Sequence, residues 1–415
     1  MSSSRLGWTL TIAATLTMTV SYFDRQALGA LGPKVRAGLE ISNTQFGWLV
    51  SAFSIAYLIA SPLAGAWIDR VGPRRGLLVA VLAWTAVSAL HGAVPNFAAL
   101  FALRIALGLT EAPSFPGAAQ TVQRALPREQ RSRGFGVLFM GSSIGALLAP
   151  LAATTIEKHF GFRVAFLVTA LAGLSWIPMW LVVTRGKEAR ARLGEAELER
   201  AARVPLVERL RGLARALGHP AVQRGAIVVV TSAPMIGFVL NWTANVLKDT
   251  YGIPQEDMAK YLWLPPVLFD LGSVSFGFLA SRAQKRGVDT PRALLLGAGV
   301  IGSAMPVALL LGDSPWAMTI ALGVALVGGG GLFSVLTSDM LSRVPAPILS
   351  SASGLSAAAQ SLAYIVANPL VGWARDRTGG FAAPILGLSV IVLPGAIAWA
   401  LWPPPPKVID EEARE

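Results

Sequence analysis

The 415-residue chain contains no cysteine, and it has only three histidines and five tyrosines. Without cysteine it can form neither a disulfide nor a thiolate nucleophile, and a metal site with sulfur ligands is excluded. The histidines, His91, His159 and His219, are too far apart in the sequence to suggest a metal site. These scarcities favour neither redox chemistry nor metal chemistry, and we expect no bound cofactor.

Charge is also scarce. Asp, Glu, Lys and Arg make up 14% of the residues, 53% are hydrophobic, and the mean hydropathy is +0.57. Soluble domains carry about 25% charged residues, so this composition favours lipid as the solvent. A helical membrane span needs about 20 apolar residues. Twelve such runs occur, over about residues 8–32, 46–68, 76–94, 97–121, 134–156, 162–184, 222–247, 259–282, 292–311, 315–338, 349–372 and 381–402.

We therefore predict an all-α integral membrane protein with twelve transmembrane helices in two six-helix halves, residues 1–184 and 221–415. The polar segment 185–220 between them is predicted to be a cytoplasmic linker with amphipathic helices. The net charge of +12 comes mostly from Lys and Arg in alternate loops. If both termini are cytoplasmic, these loops follow the positive-inside rule. Basic charge then sets topology, and we predict no nucleic-acid partner.

A charged motif follows the second span. It reads Gly65-Ala-Trp-Ile-Asp69-Arg70-Val-Gly72-Pro-Arg74-Arg75. Its aspartate can pair with neighbouring arginines and cap an adjacent helix, which would make the loop a conformational latch between helices. The loop after span 8, from Gly277 to Gly287, repeats the pattern in eroded form with Ser281 in place of the aspartate. Related loops in two halves indicate parallel repeats, which in transporters place the substrate near the membrane midplane.

The pattern Gly-x-x-x-Asp-Arg-x-Gly-x-Arg-Arg resembles the signature loop of the major facilitator superfamily. With twelve spans and a basic central loop, the resemblance covers the whole chain. It implies a secondary transporter driven by an ion gradient, and not an enzyme. The glycine run 328–331 follows no strand and lacks a phosphate-loop lysine. It therefore predicts close helix packing and not nucleotide binding.

Charged residues lie well inside two of the predicted spans: Asp24 and Arg25 in span 1, and Arg104 and Glu111 in span 4. A charge at the bilayer centre costs about 2.5–3.5 kcal/mol on insertion scales, so such residues suggest a functional site. At a rise of about 1.5 Å per residue, Asp24 and Arg104 share a depth. This predicts an Asp24–Arg104 pair, with Glu111 roughly 10 Å deeper on the face that carries Arg104.

These positions suggest three roles. Asp24, paired with Arg104, would couple transport to protons, and Glu111 would be the second proton carrier. Arg25 points about 100° away from Asp24 around the helix, so it is free to bind a substrate carboxylate. The alternative is a buried ion-pair network that only fixes the packing of spans 1 and 4.

Three further segments narrow the resemblance. They are Tyr22-Phe23-Asp24-Arg25, the span-4 run from Arg104 to Pro116, and the span-8 run from Trp263 to Gly272. Together they resemble the anion:cation symporter family, of the hexuronate and galactonate type. The resemblance implies proton-coupled symport, with the matching arginine on the substrate and the matching acids coupling protons. Span 7 lacks the usual proline after Trp242, and Ser142-Ser143 replaces a common amide, which suggests a smaller or less hydroxylated acid.

Other polar residues fall where a substrate cavity could be lined. They are Tyr57, Ser142, Asn241, Asn245, Gln360 and Ser361. Each could instead make a hydrogen bond between helices.

We predict a proton-coupled symporter of an organic anion, a sugar acid or related carboxylate, that works by alternating access. Its expected partners are the small organic anion, protons and the lipid bilayer, and it is expected to be a monomer in a bacterial inner membrane. The alternative is a proton-driven efflux antiporter for small molecules, which could use the same loop and acids. Arg25 in a span argues against a cationic substrate.

Overall fold

The computed structural model describes residues 3–193, 206–311, 314–345 and 348–408, and within these ranges it contains helices but no β-strand. The helices up to residue 217 are α1 (Ser3–Ala30), α2 (Gly32–Leu39), α3 (Asn43–Leu90), α4 (Phe97–Glu111), α5 (Ser114–Ala125), α6 (Arg128–Thr184), α7 (Lys187–Arg192) and α8 (Leu206–Leu217). The remaining helices are α9 (Pro220–Tyr251), α10 (Ala259–Leu262), α11 (Leu264–Lys285), α12 (Arg292–Ser303), α13 (Val307–Leu310), α14 (Pro315–Leu341), α15 (Leu349–Thr378), α16 (Ala382–Val390) and α17 (Val392–Leu401).

The chain forms two compact units. The first comprises Met1–Arg203 and Asn241–Trp263, and the second comprises Val204–Leu240 and Leu264–Glu415. The two units divide the predicted linker between them, and residues 241–263, which belong to the predicted second half, group with the first unit. Helix α9 accordingly begins in the second unit and ends in the first.

Two helices are far longer than a bilayer requires, and each is broken by one glycine. Helix α3 has 48 residues and α6 has 57, whereas one crossing takes about 20. Gly72 in α3 and Gly161 in α6 both have φ of 79°, a conformation that glycine adopts without a Cβ penalty. Each of these elements is therefore two helices joined at a sharp turn.

Nine segments of the described residues are long and apolar enough to cross a membrane. One of them, Arg133–Thr184, is 52 residues long and contains the break at Gly161. Helices α1 and α15, with 28 and 30 residues, also exceed the length of one crossing but are not among the nine. Helix α1 carries Asp24 and Arg25, the charges that lower its hydropathy.

Glycines set the close packing of the first unit. Helix α1 packs along α6, and α3 packs along α4. A Cβ at Gly145 of α6 would collide with the Thr19 carbonyl of α1, and a Cβ at Gly108 of α4 would collide with the Phe53 carbonyl of α3. Only glycine allows these backbones to approach so closely. Gly108 lies between Arg104 and Glu111, so this contact fixes both charges relative to α3.

Glycines also allow close helix packing in the second unit. Helix α14 packs against α11 and α12. A Cβ at Gly328 would collide with the backbone of Gly302, and one at Gly330 would collide with the Phe269 carbonyl. The four-glycine run is thus a helix-packing element, as the sequence predicts.

The linker contains two short helices in its described part, α7 and α8. Residues 194–205 lie outside the described residues. Ala216 of α8 is fully buried, in an apolar cluster with Val222 of α9, Met340 of α14 and Ala352 of α15. Leu217 is 53% exposed, so it does not share the buried position of its neighbour Ala216.

Candidate functional site

Among the four charges of the predicted site, Arg25 and Glu111 form a direct ion pair. Arg25 lies on α1, and Glu111 is the last residue of α4. Arg25 Nε donates to Glu111 Oε2 at 2.6 Å, and the Ser21 hydroxyl donates to the same oxygen at 3.0 Å. The Glu111 side chain is 0% exposed and that of Arg25 is 16% exposed. A charge-assisted hydrogen bond in so dry a setting is strong.

This pair leaves part of its hydrogen-bonding capacity unused. Glu111 Oε1 and Arg25 Nη2 are buried and have no hydrogen-bond partner among the described residues. A guanidinium offers five N–H donors in a fixed fork. Arg25 therefore has donors left for a second carboxylate.

Three aromatic rings surround the Arg25 guanidinium. Its Cζ lies 5.0 Å from the ring centroid of Tyr22, 4.6 Å from that of Phe53 and 4.7 Å from that of Tyr57. Phe53 and Tyr57 stack on each other, with centroids 5.6 Å apart. Because aromatic faces attract cations, these rings hold the guanidinium next to Glu111.

Asp24 and Arg104 do not form the predicted ion pair. Asp24 is 5% exposed, and neither of its carboxyl oxygens has a partner within hydrogen-bond distance among the described residues, although the Ser88 side chain lies near the carboxyl. Arg104 is 4% exposed, and its Nε donates to the Leu49 carbonyl at 3.4 Å. Its Cζ lies 5.2 Å from the Phe53 ring centroid. A buried charge without a partner is costly, so Asp24 is a carboxyl suited to carrying a proton.

The depth estimate failed because it followed the backbone and ignored the side chains. Side chains of a helix lean towards its N-terminus. Spans 1 and 4 are expected to run in opposite directions, so Arg25 and Glu111 lean towards each other. The length of the arginine side chain then closes the remaining distance.

Of the predicted lining residues, Tyr57 and Ser142 belong to this site. Tyr57 is half-buried against Arg25. Ser142 of α6 is half-buried and lies near the Tyr22 hydroxyl. Both belong to the first unit, as do Asp24, Arg25, Arg104 and Glu111.

Asn245 lies in a different cluster of the first unit. It is fully buried, and its Oδ1 accepts from Arg36 Nη1 at 3.0 Å. The same Arg36 forms a fork with Asp249, at 2.9 Å to Oδ2 and 3.4 Å to Oδ1. Asn245 thus ties α9 to α2. Asn241 lies one turn earlier on α9 and is half-buried.

Gln360 and Ser361 belong to the second unit. Gln360 Nε2 donates to the Tyr364 hydroxyl at 3.4 Å, and Ser361 is buried at 9% exposure. A role of either residue in substrate binding stays a prediction.

The predicted latch joins α3 to α5. The exposed carboxylate of Asp69 accepts a hydrogen bond from Gln120 Nε2 at 2.9 Å. Gln120 was not among the predicted partners, because the loop motif holds no sign of a residue 51 positions away. Gly72 supplies the positive φ that turns the chain, a conformation that glycine adopts without a Cβ penalty.

The basic residues of the latch have separate positions. Arg74 Nε donates to the Thr184 hydroxyl at 3.3 Å, and the Arg74 carbonyl accepts from Trp180 Nε1 at 2.9 Å. Arg70 and Arg75 are exposed. A Cβ at Gly65 would meet no atom within 4 Å, so that glycine does not serve close packing.

The prediction missed two residues that complete the Arg25 site, Ser21 and Phe53. Ser21 precedes Arg25 by one helical turn, so spacing alone could have placed it on the same face. Phe53 precedes Tyr57 by one turn on α3, and that spacing was available too. Nothing in the sequence of α3 shows that this face meets Arg25.

A second buried charge cluster lies in the second unit. Arg224 is 1% exposed, and its Nη1 donates to Asp339 Oδ2 at 2.7 Å. Arg224 Nε donates to the Trp399 carbonyl at 2.8 Å, and its Cζ lies 3.6 Å from the Trp399 ring centroid. Arg343 is also 1% exposed, and its Nε donates to Asp339 Oδ1 at 3.0 Å. One aspartate is thus shared by two arginines.

Arg343 also holds the segment that follows α17. Its Nη1 donates to the Pro405 carbonyl at 2.5 Å, and its Nη2 donates to Asp289 Oδ2 at 2.9 Å. Lys407 pairs with Asp289 at 3.5 Å. The hydrogen bond from Arg343 holds the pKa of Asp289 below its usual range. In the first unit, Arg124 Nη1 likewise donates to a backbone carbonyl, that of Leu193, at 2.6 Å.

The family model of the Major Facilitator Superfamily matches residues 14–367. The chain belongs to the Major Facilitator Superfamily. It is similar to the hexuronate transporter of Bacillus subtilis (strain 168), with 27% identity over 391 residues that cover 90% of each chain. It is also similar to the D-galactonate transporter of Escherichia coli O6:H1, with 24% identity over 407 residues that cover 93% of each chain. The predicted resemblance to hexuronate- and galactonate-type carriers is thereby confirmed.

A solved structure shows the same fold. It is that of a bacterial homolog of the human lysosomal transporter Spinster, in an inward-facing and unoccupied conformation. The TM-score is 0.77 at 15% sequence identity, and the match covers 95% of this chain and 96% of that one. The superfamily consists of membrane transporters, so this chain is a multi-pass membrane protein and not an enzyme.

Proposed function

We propose that the protein is a secondary active transporter that carries a small organic carboxylate, of the sugar-acid class, together with protons. The observation that carries the proposal is the Arg25–Glu111 pair, a buried cation held by one carboxylate at 2.6 Å with a second donor edge unused. Hexuronate, galacturonate and D-galactonate transporters among the similar proteins give the class of substrate.

Charge balance links the anion to the proton. With both acids ionised, the charges of Asp24, Arg25, Arg104 and Glu111 sum to zero, so the site has little net attraction for an anion. One proton on Glu111 or Asp24 leaves one positive charge unbalanced. A monoanion then restores neutrality, which matters because a net charge in this dry setting is costly.

The chain's own residues suggest an order of events. A proton on Glu111 weakens its hold on Arg25, and the guanidinium then receives the substrate carboxylate in a bidentate fork. Tyr22, Phe53 and Tyr57 keep the guanidinium in place during this exchange of partners. Asp24, whose carboxyl oxygens have no hydrogen-bond partner among the described residues, is the other carboxyl that can hold this proton.

We further infer twelve spans, alternating access, residence in a bacterial inner membrane with both termini cytoplasmic, and function as a monomer. The span count follows from nine apolar segments, the break of one of them at Gly161, and the added helices α1 and α15. The proton gradient is the expected driving force, so no cofactor is needed.

Transport by the purified protein in proteoliposomes tests the proposal. With an alkaline interior, labelled D-galactonate or D-galacturonate should accumulate above its external concentration, and a protonophore should abolish the accumulation. An acidic interior should drive the labelled anion out. Accumulation driven by an acidic interior would instead indicate a proton antiporter and overturn the symport assignment.

A further inference from the structure

We infer that Phe53 is a positioning residue that sets Arg25 and Arg104 together, and so links the affinity for the anion to its pH dependence. This inference rests on the proposed function. Its starting point is one ring that serves two buried cations. The Phe53 centroid lies 4.6 Å from Arg25 Cζ and 5.2 Å from Arg104 Cζ.

The position of this ring is fixed from both sides. Phe53 is 7% exposed, and its backbone lies against Gly108 of α4 so closely that no Cβ would fit there. Tyr57 stacks on the ring from the next turn of α3. One turn earlier, the Leu49 carbonyl accepts the Arg104 hydrogen bond at 3.4 Å. One face of α3 therefore supports both arginines at successive turns.

Electrostatics gives the ring its role. Two guanidinium groups near one ring repel each other, and in a dry environment this repulsion is poorly screened. The negative face of an aromatic ring offsets it, since a cation–π contact strengthens when both partners are desolvated. Hydrogen bonds alone do not offset this repulsion at Arg104. Among the described residues its hydrogen bond to the Leu49 carbonyl is long, and that partner is uncharged.

Each arginine serves a different part of transport. Arg25 holds Glu111 and is the proposed anchor of the anion, whereas the charge of Arg104 acts on Asp24, the other proposed proton carrier, without forming an ion pair with it. Weakening the attraction between the ring and the two guanidinium groups should therefore change both the affinity for the anion and the pH dependence of binding. If Phe53 only filled space, neither of these would change with the negative charge on the ring face.

A fluorination series at Phe53 tests this distinction. Mono-, di- and trifluorinated phenylalanine keep nearly the same shape but progressively weaken the negative ring face. Binding of D-galactonate and D-galacturonate to the purified protein is measured by calorimetry across a range of pH. We expect roughly threefold to tenfold weaker binding at the end of the series, with the midpoint of the pH dependence moving in step.

Phe46 provides the matched control. It is a fully buried phenylalanine of the same unit whose ring packs edge-on against Trp242 at 5.2 Å. Within the described residues, no arginine makes a cation–π contact with its ring. Its fluorination should leave binding unchanged. Phe53→Trp should retain the coupling, and Phe53→Leu should lose it.

Three outcomes are distinguishable. If the natural protein binds neither anion, the proposed function is wrong. If it binds and the Phe53 series is flat, or if only the affinity changes while the pH midpoint stays fixed, Phe53 does not link the two arginines. If the Phe46 series weakens binding as strongly as the Phe53 series, the effect is one of packing, and the inference is overturned.

Discussion

The two units both bury charged side chains, but they satisfy them to different degrees. In the second unit, Asp339 is held by two arginines, and Arg343 also bonds Pro405 and Asp289. In the first unit, both oxygens of Asp24 and one of Glu111 have no hydrogen-bond partner among the described residues. The second cluster thus pairs both oxygens of its buried carboxylate, although Arg224 Nη2 has no hydrogen-bond partner among the described residues, whereas the first cluster leaves three carboxylate oxygens unpaired.

The difference separates structure from function. A buried carboxylate that is held on both oxygens resists change, because removal of a partner leaves another charge without compensation. A carboxylate with an unpaired oxygen can take up a proton without first breaking every bond it has. We therefore propose that the first cluster carries the transport chemistry and that the second holds α9, α14 and the segment after α17 together.

Replacement of Glu111 should give the largest effect on transport. Glu111→Gln keeps the size and a hydrogen-bond acceptor but cannot exchange a proton. At a gradient of roughly two pH units, the accumulation ratio should fall by about 100-fold to equilibration, since each unit is worth about 1.36 kcal/mol. Labelled-anion uptake into proteoliposomes measures this ratio.

Glu157→Gln is the matched control, because Glu157 is a buried carboxylate of the same unit, 6% exposed and paired with Lys34 at 2.9 Å. Its variant should accumulate the anion like the natural protein. If Glu111→Gln also accumulated the anion fully, the first cluster would be a packing network like the second.

Replacement of Asp339 should give the largest effect on stability. Asp339→Asn leaves Arg224 buried without a counter-charge and leaves Arg343 with only the exposed Asp289 among its ion-pair partners in the described residues. Loss of one partner of a buried pair typically costs about 3–5 kcal/mol. Chemical denaturation of the purified protein should show a clear fall in the unfolding midpoint.

Asp257→Asn, in an exposed pair with Lys260, should leave the midpoint unchanged. Glu111→Gln should lower the midpoint less than Asp339→Asn does. An equal loss in both variants would remove the distinction between the two clusters.

Replacement of Arg25 should have a smaller effect, confined to affinity. Lysine keeps the charge but has no fork of donors for a carboxylate. For Arg25→Lys we expect the KM for uptake to rise about tenfold, equivalent to about 1.4 kcal/mol, with little change in kcat. Arg163→Lys, at an arginine of the same unit that bonds the Val94 carbonyl, should leave both values unchanged. A fall in kcat alone would mean that Arg25 does not anchor the substrate.

The smallest effect concerns acid and the segment held by Arg343. Because the hydrogen bond from Arg343 lowers the pKa of Asp289, this contact stabilises the fold above the ordinary aspartate pKa of about 3.9 and is lost as pH falls through the lower, folded value. Asp289 is 60% exposed, so the gain is small. Hydrogen exchange at the amides of Lys407 and Val408, which follow four prolines without an amide hydrogen, should quicken only in strong acid, and Asp289→Asn should remove that pH dependence. Unchanged exchange in acid would exclude the contact as a tether.

The sequence predicted the helical membrane fold, the family and the four charges of the site, because insertion costs make such charges rare. The predicted partner of Asp24 was wrong, because a depth estimated from backbone positions ignores the direction and length of the arginine and glutamate side chains. Phe53 and Gln120 were missed for a related reason. Their roles depend on which helix faces pack together, and a single sequence does not show this for uncharged residues.

The most direct test of the central claim is the number of protons bound when the anion binds. Calorimetry of D-galactonate or D-galacturonate binding to the purified protein, in buffers of different ionisation enthalpy, gives this number. We predict uptake of about one proton per anion near neutral pH, because one proton and one monoanion together keep the site neutral. In Glu111→Gln this proton uptake should be clearly reduced. Binding that takes up no proton in the natural protein, or the same number in Glu111→Gln, would contradict it.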